Sequence, residues 1–197
     1  ESAVKPVPAS APFLRWRPPG MKQRTLLFPI LLLWADVAVR AQEEFPSVVA
    51  ETSAGGTLTL PLSTAEGYTI VAVAFGKKAE PLLEDWYAPA YSRFVAKSGL
   101  FASDYHVDLF LMPLFVGANR AAYGTTMNRL RKEVDPEIAQ RVVFVKGDAR
   151  GLIDRLGLAD KDVPYFFLLD KQGHIRARVQ GAYTVERLEA LEAPMLN

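Results

Sequence analysis

Three short clusters in this sequence hold side chains able to do chemistry. Gly76-Lys77-Lys78 precedes an expected helix start. Free backbone N–H groups and two ammonium groups there could hold an anion, although a solvated loop is the plainer reading. Asp104, His106 and Asp108 alternate, so they would share one face at the entry to a strand. An imidazole between two carboxylates is a conceivable metal site, but one His with two Asp is thin, and no metal ligand is assigned. His174 follows a turn and is expected to be exposed. No serine is spaced to form a triad with either histidine, and the G-x-S-x-G elbow is missing, so no catalytic residue is assigned.

The chain of 197 residues contains no cysteine. That excludes disulfides, thiol nucleophiles, thiolate metal sites and a lipidated cysteine anchor. Half the residues are hydrophobic and about a quarter charged, which suits one globular domain with a sizeable core plus a tail. The formal charge of +1 is unevenly spread. Of 23 Lys/Arg and 22 Asp/Glu, six bases and two acids lie in residues 1–41, leaving 17 and 20 in the body. The basic character belongs to the leader, and no nucleic-acid partner is expected.

Residues 1–20 are rich in Pro and Ala and read as a disordered or upstream-translated segment. Residues 21–41 read as a signal peptide: Lys22 and Arg24 form the positive end, Thr25 to Ala35 the apolar stretch, and Val39-Arg40-Ala41 the cleavage region. Asp36 and Arg40 cut the stretch short of the roughly 20 apolar residues a membrane helix needs. Export to a periplasmic or extracellular space is the expectation, with membrane association only through the leader if uncleaved. A mitochondrial presequence is the alternative, because residues 2–35 are free of acids.

Residues 42–197 must then supply the elements that position any site. Phe45 to Pro61 reads as a hairpin turning at Gly55-Gly56. Tyr68 to Phe75 is a continuous apolar, β-prone run, the mark of a strand buried on both faces. Pro81 is expected in the first turn of a helix running to about Lys97, which Pro89 must kink or divide. The apolar run Val107 to Val116, ending as a strand near Pro113, and Arg141 to Val145, Tyr165 to Leu169 and Ile175 to Gln180 read as further strands. Helices are expected at Ala121 to Val134, after Asp135-Pro136, after Asp148 and after Thr184. Early crossovers imply parallel pairing, and the turn at Asp170-Lys171-Gln172-Gly173 adds an antiparallel strand. Trp86, Tyr87 and Tyr91 make an aromatic stripe on the first helix, read either as core or as a partner surface. Arg129, Arg131, Lys132 and Arg141 are interleaved with acids, as on a solvated helix face.

The stretch Val163-Pro164-Tyr165-Phe166-Phe167-Leu168-Leu169-Asp170-Lys171-Gln172-Gly173-His174-Ile175 resembles the Val-Pro-x-x-Phe-Leu-x-Asp-x-x-Gly-x-Ile run of the thioredoxin-like superfamily. The redoxin and TlpA-type exported branches are the most similar, together with the mitochondrial ATP synthase assembly factors that share the fold. The resemblance covers about residues 45–193. It implies an α/β fold with a central mixed sheet flanked by helices, an N-terminal β-hairpin, and a β-α insert at residues 118–146. It also implies a cis Val163-Pro164 bond facing the start of the first helix. Redox-active relatives carry cysteines in the loop that here reads Gly76-Lys77-Lys78-Ala79-Glu80-Pro81.

A thiol-free domain of this kind is expected to act as a non-catalytic protein-binding or assembly module. The alternatives are an enzyme using non-thiol groups, an ATP synthase assembly factor, or a degenerate relative with no ligand. A protein partner is expected, with no cofactor. The surface assigned to it is the former redox end of the sheet: Lys77 and Lys78 to steer an acidic segment, Trp86, Pro164 and Tyr165 for apolar contact. The purified protein should show no turnover in insulin-reduction or peroxide-consumption assays, since thiolate attack is chemically unavailable; sustained turnover would refute this.

Overall fold

The computed structural model describes residues 43–63, 66–96, 105–133, 135–145 and 148–196, all within the unit Arg40–Asn197. The readings placed on residues 1–41 and on Asp104 lie outside the described residues, as do the side chains of Arg129 and Arg131.

The expected hairpin forms from β1 (Val48–Thr52) and β2 (Thr57–Leu60), antiparallel, with Val48 opposite Leu60. Its turn needs a left-handed residue, which Gly55 supplies at φ 98°. The apolar run at residue 68 becomes β3 (Tyr68–Ala74), the second strand of a four-stranded sheet. It pairs in parallel with β4 (Val107–Pro113) on one edge. On the other edge it pairs antiparallel with β6 (Tyr165–Leu169), which in turn pairs antiparallel with β7 (Ile175–Gln180).

Strand periodicity sorts the side chains of this sheet into two cores. Val71, Val73, Phe110, Met112, Tyr165, Phe167 and Leu169 face the hairpin and the helix α4 (Ala149–Arg155), joined by Leu60, Leu152 and Leu156. Ile70, Ala72, Ala74, Leu109, Phe166 and Leu168 face α1 (Ala79–Ala90) and α5 (Val185–Glu192), joined by Leu83, Trp86, Phe94, Leu188 and Leu191. The small alanines on β3 leave room for Trp86, whose ring lies 4.1 Å from that of Phe166. Its indole N–H donates to the Gly181 carbonyl at 2.9 Å.

α1 begins two residues before Pro81. Pro89 lies inside it, with no N–H and a ring that crowds the preceding turn. The outcome is a widening rather than a break: Tyr91–Val95 form a π turn, with the Ala96 N–H donating to the Tyr91 carbonyl at 2.9 Å. The insert carries α2 (Tyr123–Glu133) and α3 (Pro136–Arg141), the latter capped by Asp135, whose carboxylate accepts from the Glu137 N–H at 2.9 Å.

Two expectations are corrected. The third predicted strand is short, β5 (Val143–Val145), and pairs antiparallel with β1 rather than joining the parallel ladder. Towards β4 the ladder is reduced to an isolated parallel bridge, Leu111–Val142, just before β5. The Leu114 N–H bonds back to Ala74 on β3, so the N–H that Pro113 lacks falls on the opposite edge, where β5 would pair. Val163–Pro164 is trans; the cis bond among the described residues is Leu60–Pro61. Trans is the isomer that X–Pro bonds favour by about 0.5–1 kcal/mol unless packing demands cis.

The C-terminal helix is locked by one buried carboxylate. Glu192 is only 4% exposed. It accepts from Arg93 Nε and Nη2 at 2.9 and 2.8 Å, and from the Tyr105 hydroxyl. Burial works against its charge, but the Arg93 and Tyr105 donors outweigh it and hold the carboxyl below its ordinary value. A lowered folded-state pKa adds stability above the unfolded carboxyl pKa, and that stability is lost as pH falls through the folded value. Glu192→Gln should cost about 2 kcal/mol at neutral pH. In urea denaturation the gap to the unmodified protein should close below about pH 4; a gap independent of pH would show that the charge is immaterial.

Candidate functional site

β3 delivers the chain to Phe75 and Gly76, where α1 begins, and the loop before β6 arrives at the same end of the sheet. The two loops touch. A Cβ on Gly76 would sit 2.1 Å from the Lys161 carbonyl oxygen, so only glycine permits this approach. Lys78 Nζ lies 3.0 Å from Asp162 Oδ2, and this carboxylate raises the lysine above its ordinary value. The second loop is itself braced. The Asp162 N–H donates to the Asp160 carboxylate at 2.8 Å, and the Asp160 N–H to the Tyr165 hydroxyl at 2.7 Å.

Beside this contact opens a cleft of about 660 Å³, walled by Phe75, Gly76, Lys77 and Lys78 on one side and by Lys161 and Asp162 on another. Arg150, Ile153 and Asp154 of α4 close it, with Val116 from the start of the insert. Four cations and two carboxylates therefore share the cleft, and one cation is already paired with Asp162. The remaining positive excess comes from Lys77, Arg150 and Lys161 against Asp154. Phe75 is half-buried and stacks at 6.5 Å on the Tyr165 ring beneath it, so the floor is apolar.

The five residues singled out from the sequence divide. Lys77 and Lys78 are exposed and line the cleft. Trp86, Pro164 and Tyr165 are buried, so their side chains present no surface to a partner. Trp86 is consumed by the core and by its bond to Gly181; Tyr165 braces the Asp160 loop from below. Phe75, half-buried, is the aromatic ring that lines the cleft. Arg150, Ile153 and Lys161 were not anticipated, because only the crossover of α4 brings them beside the end of β3.

His106 is exposed, with Nε2 3.6 Å from Asp108. Among the described residues no three acidic or imidazole side chains converge on one point. His174 is less exposed than expected. Its Nδ1 lies 3.2 Å from Asp170 and its Nε2 3.8 Å from Glu44. Backbone bonds from Phe45 to Gly173 and from Ile175 to Glu43 complete this contact, so the histidine serves to tie the incoming chain to the β6–β7 turn.

No protein-family model and no curated protein matches the sequence. Solved structures do match its fold. The pneumococcal exposed lipoprotein thioredoxin Etrx1 from Streptococcus pneumoniae superposes with TM-score 0.51 at 13% identity, over 75% of this chain and 99% of that one. BsSco, a member of the Sco family of cytochrome c oxidase assembly proteins, superposes with TM-score 0.50 at 9% identity, over 79% and 94%. The fold is thioredoxin-like, here without any cysteine. Among the described residues no helix is long and apolar enough to cross a membrane.

The loop contact is steric in origin, so Gly76→Ala should lower stability by about 1–3 kcal/mol, as overpacking does. Lys78→Ala, which removes only an exposed ion pair, should change it by less than about 1 kcal/mol. Chemical denaturation of both variants checks this; the reverse order would mean that the charge pair, not the close approach, holds the loops together.

Proposed function

We propose that this protein is a non-catalytic thioredoxin-like binding module, exported from the cytoplasm, that holds an acidic, extended segment of a partner protein in the cleft at the start of α1. The observation that carries the reading is the cleft itself. It sits where the end of β3, the start of α1 and the loop before β6 meet, it holds more cations than carboxylates, and it has an aromatic floor at Phe75. Lys77, Arg150 and Lys161, against Asp154, beside a half-buried ring suit a peptide carrying Asp or Glu next to an apolar residue: the charges would speed encounter and set orientation, and the ring would supply contact area. No thiol is present to convert binding into exchange chemistry.

Export rests on the leader pattern in residues 21–41. It accords with the likeness to an exposed lipoprotein thioredoxin, and an assembly role accords with the likeness to a member of a family of cytochrome c oxidase assembly proteins. The partner is to be found by crosslinking and its affinity then measured. Lys77→Glu with Lys78→Glu should weaken binding at least tenfold, and added salt should weaken the unmodified complex, as exposed charge contacts are screened. If that double variant binds normally while charge reversal at Arg129 and Arg131 abolishes binding, the partner sits on the insert and the cleft assignment is wrong.

A further inference from the structure

A second cavity lies between α1 and the insert. Its volume is about 300 Å³, at the lower end of the range for small-molecule sites. It is left where a ladder stops. Leu111 and Val142, the isolated bridge between β4 and the chain entering β5, both line the cavity. Pro113 lines it as well. Beyond that bridge β4 and β5 belong to separate sheets, and the space opens between them, α1 and the insert.

The wall supplied by α1 is one face of the helix. Glu80, Leu83, Glu84 and Tyr87 line the cavity, at spacings of three and four residues that bring them to one side. Leu83 is buried and Tyr87 half-buried, whereas Glu80 and Glu84 are exposed. Phe115 and Ile138, both half-buried, continue the apolar wall, with Thr126 of α2. The cavity is therefore apolar within and acidic at its mouth. Among the described residues no Lys, Arg or His lines it, and neither glutamate carboxylate has a salt-bridge or hydrogen-bond partner. The cations of neighbouring elements are engaged elsewhere. Arg141 lies over the Tyr91 ring and 3.8 Å from Glu137, Lys78 is paired with Asp162, and Lys77 lines the other cleft.

We propose that this cavity binds a small amphiphilic amine: an apolar body the size of one ring or a short chain, carrying a protonated nitrogen. The apolar walls take the body, and Glu80 and Glu84 hold the charge at the mouth. Two carboxylates without a counter-ion attract a cation and repel an anion, and an uncharged molecule gains nothing from them. Walls on three sides suit a free molecule rather than an extended peptide. This site is separate from the cationic cleft and does not depend on the function proposed for it.

The test uses the isotope-labelled full chain and three probes of similar shape: benzylamine, benzyl alcohol and benzoate. Benzylamine should give saturable backbone shifts centred on Leu83, Leu111, Phe115 and Ile138. Benzyl alcohol should bind there more weakly, and benzoate should leave these residues unshifted. Glu80→Gln with Glu84→Gln changes two exposed side chains and should keep the fold. It should weaken benzylamine about threefold or more, the scale of exposed carboxylate–ammonium contacts, and leave benzyl alcohol unchanged. Ile138→Trp, which narrows the cavity, should weaken both. No saturable benzylamine shift at these residues, equal affinity for benzylamine and benzyl alcohol, or benzylamine binding untouched by the double variant would overturn the proposal. Tighter binding of a short peptide carrying Phe next to Lys would give the cavity to a partner protein and overturn the assignment of a free amine.

Discussion

Everything in this domain is arranged around β3, a strand with no free side. Both edges are hydrogen-bonded, in parallel to β4 and antiparallel to β6. Both faces are covered, Val71 and Val73 by one core and Ile70, Ala72 and Ala74 by the other. A strand so placed must be apolar at every position and must end sharply, because a buried backbone that leaves the ladder needs new partners at once. Gly76 marks that end. Its missing side chain lets the loop before β6 pack directly against it. The candidate cleft is thus a consequence of how the central strand stops.

The two faces are closed by different devices. On the helical face, size matching dominates: small alanines on β3, a tryptophan on α1, and the Trp86–Gly181 bond that fixes α1 to the turn between β7 and α5. The Glu192–Arg93–Tyr105 cluster then holds the end of α5 beside the π turn that follows α1. On the opposite face the hairpin and α4 complete the cover. Ser53 joins the hairpin to the insert, with its buried hydroxyl bonded to the Ala139 carbonyl and its N–H to Val142. The insert is thereby held at one end by the hairpin and lies over β4, and this leaves the cavity beneath it. Prolines set the limits of the arrangement, Pro89 by widening α1 and Pro113 by stopping the ladder between β4 and β5.

Without any cysteine, the end of the sheet at Gly76 is still fully built. The loop between β3 and α1 keeps a defined shape because it is tied to Lys161–Asp162 by a close backbone approach and an ion pair. A braced rim with excess positive charge and an aromatic floor suits the binding role proposed above, since binding needs preorganised contacts and no reactive group.

Much of the fold was legible in the sequence. Continuous apolar runs gave β3, β4 and β6 within a residue or two, Gly55 and Gly173 gave the turns, and Asp135 and Thr184 gave helix starts, because these signals are local. The absence of cysteine settled by itself that no thiol reaction can occur. The candidate cleft was legible only in part. Lys77 and Lys78, which line it, stand out because a basic pair before a helix is visible along the chain. Trp86 and Tyr165 are buried, and an aromatic residue on a helix or strand carries no mark of which face it occupies; packing against Phe166 and the reach of a hydroxyl to Asp160 decided that. Phe75 meets Arg150 and Lys161 from a segment far away in sequence. Such relations exist only once the sheet has formed, since they depend on which strand ends lie side by side.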